Sequence, residues 1–362
     1  MNVFKPQRSA ELNGYKCCPC LRLCYLQITP QSFAAGREEL PLITPQASFS
    51  SLTTSDAYFG MDSSTNETTH EFPPYFKVYK DGRVERYGVP DCFPTGLDPK
   101  THVQSRDVVV SSESGVSARL FLPKINGPDH KLPLIVHYHG GAFCVGSPFN
   151  KTFHNFLLSL ASAARAVVIS VDYRLAPEHP LPTAHQDSWA ALQWIATHSK
   201  GQGPDPWLNE HADFGRVFLA GESAGANIAH YVAVQAGASG LAGPNILGLL
   251  LVHPFFGGKE SSKMYGVMYP TSAGLSDPIM YPEVDPKLPS MAGGKVLVCV
   301  AEKDSLRDIG LGYSEALRKS GWGGTLCSYE TEGEGHGFFL LNPRSHKVEP
   351  LIQAMVDFIN LD

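Results

Sequence analysis

The segment Gly221-Glu222-Ser223-Ala224-Gly225 sets a serine between glycines two residues away on each side. The apolar run Val217-Phe218-Leu219-Ala220 precedes it, and Ala226, Ile228, Ala229 and Val232 follow at helical spacing. This order predicts a sharp turn from a buried strand into a helix, which requires a sheet with a helix packed back onto it. The glycines have a steric task. The chain doubles back so tightly that side chains at 221 and 225 would meet neighbouring backbone, and Ser223 is held out over the sheet edge. A serine presented in this way is a candidate nucleophile.

The rest of the chain supplies the sheet. Apolar runs at 108–110, 118–122, 134–138, 167–171, 217–220, 247–252, 296–301 and 326–329 read as strands, and 153–164, 186–198, 224–235, 309–319 and 346–358 carry helical spacing. The alternation predicts an α/β fold with a mostly parallel, eight-stranded sheet covered by helices on both faces, in one domain over residues 71–362. The first two runs, joined by the short 111–115 connection, predict an antiparallel hairpin at the edge. Residues 1–70 are rich in Ser, Thr, Pro and Gln, lack periodicity, and read as a disordered or processed extension. Met61 is suited to be an alternative start, and Glu11, Glu38 and Glu39 argue against a transit peptide, a class poor in acid.

With 43% hydrophobic and 18% charged residues, the chain has the balance of a soluble globular protein with a sizeable core. A net charge of −6 without a lysine/arginine block argues against nucleic acid as a partner, and no apolar run is long enough for a transmembrane segment. Cys17, Cys18, Cys20 and Cys24 crowd into the extension without the histidines or spacing of a zinc site. They read as a solvated tail, with acylation of a thiol as the weaker alternative. Cys92, Cys144, Cys299 and Cys327 are far apart and suit reduced thiols. The expected location is cytoplasmic, or plastid if the extension is a transit peptide. Asn66 and Asn150 open Asn-x-Thr triplets that would matter only in a secreted protein.

An activated serine needs a base, an acid to orient that base, and donors for the developing oxyanion. Asp304 follows the apolar run 296–301, so its carboxylate should emerge at the carboxyl edge of the sheet; the rival Asp308 suits the start of the next helix. His336 sits in the loop Glu334-Gly335-His336-Gly337-Phe338 after the last strand and is the candidate base, whereas His346 reads as the start of a helix. His139-Gly140-Gly141-Ala142-Phe143 follows the strand at 134–138, and Gly140 and Gly141, with Ala224 from the elbow, are the expected oxyanion donors. His139 is expected to shape its loop, and Glu222 to have a supporting role. Asp172 and Asp187 frame Arg174 with no metal-ligand spacing, which predicts a buried Arg174 paired with its acid neighbours.

These residues resemble the plant class I carboxylesterases of the hormone-sensitive-lipase branch of the α/β-hydrolases. The resemblance rests on His139 to Phe143, Asp172-Tyr173-Arg174-Leu175-Ala176-Pro177-Glu178-His179-Pro180, Gly221 to Asn227, Ala301-Glu302-Lys303-Asp304 and Gly335-His336. It extends over about residues 70 to 362, where Phe76 to Arg86 looks like the family's amino-terminal opening. It implies an α/β-hydrolase fold, a triad of Ser223, Asp304 and His336, an oxyanion hole of Gly140, Gly141 and Ala224, and no cofactor or metal. Two departures stand out. Ala142 replaces the third glycine of His-Gly-Gly-Gly-Phe, as in 2-hydroxyisoflavanone dehydratases, and the 257–269 segment is shorter than the usual cap insertion, implying a small cap and a more open pocket.

The implied activity is hydrolysis of small to medium carboxylic esters, with a small-molecule ester as the partner and Phe143, Phe149, Phe255, Phe256, Tyr265 and Phe338 as lining. The alternative is a dehydratase, lyase or cyclase of plant specialised metabolism reusing the site. A hormone receptor of the gibberellin type is disfavoured by His336, which those receptors lack. No sequence feature sets an oligomeric state.

Overall fold

The computed structural model describes residues 66–361 except 89–91, 126, 128–130 and 258–262. The cysteines of the extension and the alternative start at Met61 lie outside the described residues. The strands are β1 (Thr68–Phe72), β2 (Phe76–Tyr79), β3 (Val84–Arg86), β4 (Gly96–Leu97), β5 (Gln104–Ser111), β6 (Val116–Leu122), β7 (Leu132–Tyr138), β8 (Val167–Asp172), β9 (Ala212–Glu222), β10 (Ile246–Val252), β11 (Lys295–Ala301) and β12 (Thr325–Thr331). The helices are α1 (Lys151–Ala164), α2 (Thr183–Ala196), α3 (Pro206–His211), α4 (Ala224–Ser239), α5 (Lys263–Met268), α6 (Arg307–Lys319), α7 (Phe338–Leu341) and α8 (Val348–Ile359).

The main sheet runs β12-β11-β10-β9-β7-β8-β6-β5-β4. Its first six strands are parallel, and β6, β5 and β4 continue it antiparallel. Every residue of β7 and β11 is buried, which is why both are mostly apolar without alternation: each is covered on two faces. α2, α4 and α6 pack on one face and α1 and α8 on the other, giving two apolar layers separated by the sheet. All eight expected runs fall in strands. The sheet gains a ninth, β4, whose two residues are exposed and too short to carry a pattern.

A second, three-stranded antiparallel sheet, β1-β2-β3, stands apart from the main one. Its first strand begins at Thr68, slightly before the expected start of the folded body, and is exposed over four of its five residues. Phe76 anchors it in a small core with Cys144, Ala176 and Met268. Arg86, at the end of β3, ties it to the main body: Nε donates to Cys144 O at 2.6 Å and the two terminal nitrogens to Glu178 at 2.7 Å each.

Because β7, β9, β10, β11 and β12 are parallel, their carboxyl ends meet at one edge. Gly140, Ser223, His253, Asp304 and His336 all lie just beyond those ends and converge there although they are spread along the sequence.

Candidate active site

Ser223 sits between β9 and α4 with φ 56° and ψ −119°, a conformation that costs on the order of 1–3 kcal/mol and persists because the surroundings fix it. A Cβ on Gly221 would lie 2.3 Å from Gly225 O, and one on Gly225 would lie 1.9 Å from Tyr138 O, so neither position admits a side chain. Ser223 N–H donates to Val252 O at 2.9 Å, and Phe255 N–H donates to Ser223 O at 3.1 Å.

His336 Nε2 is 3.0 Å from Ser223 Oγ, and its Nδ1 is 2.7 Å from Asp304 Oδ2. The natural proton assignment has Nδ1–H donating to the carboxylate and Nε2 accepting from the serine hydroxyl. Burial pushes the Asp304 carboxyl up, but the hydrogen bonds from His336 and the Leu306 N–H outweigh it and hold the group below its ordinary value. Asp308 is remote in role: it is 91% exposed in the first turn of α6 and pairs with Arg307. His346 is likewise exposed.

Gly140 requires a correction. Its N–H donates to Glu222 Oε1 at 2.6 Å, and a buried carboxylate already holds that donor. The other oxygen of Glu222 is 2.7 Å from His137 Nε2, whose Nδ1 is 2.9 Å from Ser170 Oγ, so Glu222 is the pin that fixes the loop after β7. Beyond the pin, φ is 114° at Gly141, 52° at Ala142 and 62° at Phe143, and the Gly141 and Ala142 N–H groups have no backbone partner. Ala224 N–H is an orphan donor at the first position of α4, where the helix dipole adds positive potential. Gly141, Ala142 and Ala224 thus form the available donor set.

His139 does shape the loop: its Nδ1 lies 2.7 Å from Gly140 O and its ring stacks on Tyr173 at 4.2 Å, while burial pushes its pKa down to about 3 and keeps it neutral. Asp187 takes three bonds from Arg174, at 3.1, 2.9 and 2.7 Å. The expected burial is reversed, with the Asp187 side chain 5% exposed and that of Arg174 34%, because the stem of the arginine reaches inward from the surface. Asp172 faces a separate cavity with Arg86 and Arg174.

Above Ser223 lies a cavity of about 560 Å³, within the size range of small-molecule sites. Tyr75, Phe153, Phe255, Met264, Tyr265, Met268, Leu306, Phe339, Leu340 and Leu341 form most of its wall, and among the described residues no lysine or arginine lines it. Of the expected lining residues, Phe255 and Tyr265 are present and four are elsewhere. The left-handed backbone at Phe143 turns its ring into the core, edge-on to Phe255 at 6.0 Å. Phe149 lies 5.1 Å from the Arg119 guanidinium, outside this wall. Phe256 faces away from Phe255 and stacks on Tyr313 at 4.8 Å. Phe338 is buried beside His253 and Phe339.

Sequence reasoning missed His253 and the roof residues Tyr75, Met264 and Met268. His253 had a usable signal, since it directly follows the apolar run of β10, as Asp304 follows that of β11. Its ring nitrogen, Asp304 and His336 bring metal-ligating atoms within 4.8 Å, but those atoms already bond one another and Gly337, an arrangement suited to proton transfer.

A family model described as alpha/beta hydrolase fold matches residues 135–340. The chain is 41% identical to a 2-hydroxyisoflavanone dehydratase of Glycyrrhiza echinata, over 83% of this chain and 100% of that protein. It is 42% identical to "Probable carboxylesterase 5" of Arabidopsis thaliana, over 81% and 99% respectively. Among solved structures, the hyperthermophilic esterase of Pyrobaculum calidifontis superposes with a TM-score of 0.60 at 27% identity, covering 71% of this chain and 85% of that one. The chain belongs to the α/β-hydrolase fold family, in the group that contains the plant carboxylesterases and 2-hydroxyisoflavanone dehydratases.

Proposed function

We propose that the protein is a serine carboxylesterase for small to medium uncharged esters. The reading is carried by the Ser223–His336–Asp304 chain of 3.0 and 2.7 Å contacts at the floor of an apolar cavity. His336 takes the Ser223 proton as the hydroxyl attacks the ester carbonyl, and Asp304 stabilises the imidazolium. Gly141, Ala142 and Ala224 N–H groups receive the oxyanion, each donor contributing on the order of 3 kcal/mol to the transition state. His336 then protonates the departing alcohol, and water, deprotonated by the same imidazole, cleaves the acyl-enzyme. A wall whose described residues are mostly apolar favours uncharged acyl and alcohol groups over anionic ones. The test is turnover of p-nitrophenyl acetate and butyrate by the full chain and by Ser223→Ala. The expected result is loss of about 10⁴-fold or more in the variant; a folded wild-type protein with no turnover removes the reading.

A second reading, dehydration, is favoured by Ala142 in the oxyanion loop and by the 41% identity to a protein named as a dehydratase. Elimination of water from a 2-hydroxyisoflavanone, surviving in Ser223→Ala while ester turnover is lost, would establish it.

No helix among the described residues is long and apolar enough to cross a membrane. We propose a reducing compartment such as the cytoplasm, which suits the free thiols of Cys144, Cys299 and Cys327 buried in the body. One relative's name, "Probable carboxylesterase 4, mitochondrial" of Arabidopsis thaliana at 41% identity, makes organelle import the competing location. Fractionation of tagged full-length protein separates the two.

A further inference from the structure

His253 is 1% exposed and touches both halves of the reacting machinery. Its segment clamps the nucleophile by backbone alone: Val252 O accepts Ser223 N–H at 2.9 Å, Phe255 N–H donates to Ser223 O at 3.1 Å, and His253 N–H donates to Cys299 O at 2.8 Å. Its side chain faces the base. Nδ1 accepts the N–H of Gly337, the residue after His336, at 3.0 Å and lies 3.7 Å from Asp304 Oδ2. The ring is 5.7 Å from the His336 ring and packs on Phe338 and Phe339 at 5.9 and 5.6 Å.

The loop that carries His336 needs such a hold. Its amino-terminal side is tied by Lys303 N–H donating to Glu334 O at 2.8 Å, but the His336 side chain is 39% exposed and the next residue, Gly337, has φ 63°. The Gly337 to His253 bond ties the carboxyl-terminal side to a different strand. Nδ1 accepts only as a lone pair, so the ring is neutral with its proton on Nε2. That Nε2 is buried without a partner, and the residue holds φ 47°, which a non-glycine residue rarely adopts. Both features are unfavourable, and a strained, incompletely bonded group kept at a reacting centre points to a role beyond packing.

We propose that His253 is a positioning residue whose Nδ1, by accepting the Gly337 N–H, holds the His336 imidazole in reach of both Ser223 and Asp304. The inference rests on the esterase reading. Removal of the acceptor lets the loop shift, and a displacement of about 1 Å at the base is enough to lower turnover about 100-fold. His253 borders the cavity but is only 1% exposed, so it offers substrate almost no surface and KM stays nearly constant.

The experiment compares full-length wild type, His253→Leu and His253→Asn. Leucine keeps bulk without an acceptor; asparagine offers Oδ1 and tolerates the left-handed backbone. If His253→Leu does not fold, His253→Gly, relaxed at this φ and also without an acceptor, takes its place. Two readouts are taken: kcat and KM on p-nitrophenyl butyrate, and the rate at which a fluorophosphonate probe modifies Ser223. The expected result is a fall in kcat and probe rate of about 30- to 100-fold for leucine or glycine, with KM within about twofold, and recovery by asparagine to within about fivefold of wild type. Turnover within about threefold of wild type in the acceptor-free variant, asparagine no better than leucine, or a loss confined to KM each overturns the proposal. A wild-type protein inert to ester and probe alike overturns the esterase reading, and this inference with it. A reactive wild type with indifferent variants overturns the inference alone.

Discussion

The carboxyl edge of the main sheet and the roof above it are built by different means. At the edge, side chains are fixed by short, buried, directional bonds: Glu222 to Gly140 and His137, Asp304 to His336 and Leu306, His253 to Gly337. The roof comes from the β1–β3 sheet and the six-residue α5, whose Tyr75, Met264, Tyr265 and Met268 meet the cavity largely through apolar contact. Directional bonds hold reacting atoms to fractions of an ångström, whereas apolar contacts between short elements tolerate substitution. Reactivity therefore belongs to the strand ends and substrate choice to the roof, so damage to one should leave the other largely intact.

The largest effect should come from Asp304→Asn, which removes the carboxylate that orients His336. We expect kcat to fall by about 10⁴-fold with KM within about threefold, measured on p-nitrophenyl butyrate. A proportionate change in KM would blur the boundary between edge and roof. Next, Glu222→Leu strips His137 and Gly140 of a buried partner and should cost about 3–5 kcal/mol in urea denaturation.

Acid should weaken the scaffold beneath the site. Burial pushes His139 to about 3, His185 to about 4 and His230 to about 3, against an ordinary 6.5. The unfolded chain binds these protons first, so their stabilisation is complete above about 6.5 and is lost progressively as the pH falls toward 3–4. Each contributes on the order of 1 kcal/mol per pH unit in that window. Denaturation midpoints unchanged between pH 7 and pH 5 would contradict this. The smallest effect is expected in the roof, where Met264→Ala should raise KM for butyrate about 3- to 10-fold and leave kcat within about twofold.

The same division explains what the sequence disclosed. Ser223, Asp304 and His336 were legible because the first two follow buried apolar strand segments, His336 sits in a glycine-bounded loop after the last strand, and the order of the three is tied to the topology. Gly140 was misassigned because the allegiance of its N–H depends on the Glu222 side chain folding back, which no spacing reveals. The wall was half-read for a related reason. Proximity in sequence brought in Phe143 and Phe256, but backbone direction, left-handed at Ala142 and Phe143, decides which way a ring points. The β1–β3 sheet escaped because an exposed strand such as β1 has no apolar alternation to display. His253 was readable in principle from its place after β10, and was hidden by the attention that glycine-flanked histidines attract.

On the esterase reading a single activated serine at the sheet edge carries the chemistry. Its most direct test is to inactivate the full-length protein with diethyl p-nitrophenyl phosphate and map the modified peptide by mass spectrometry. The expected result is one diethylphosphoryl group per chain, on Ser223, appearing in step with p-nitrophenol release and loss of ester turnover. An adduct on another residue, or turnover that persists once Ser223 is fully modified, would contradict it.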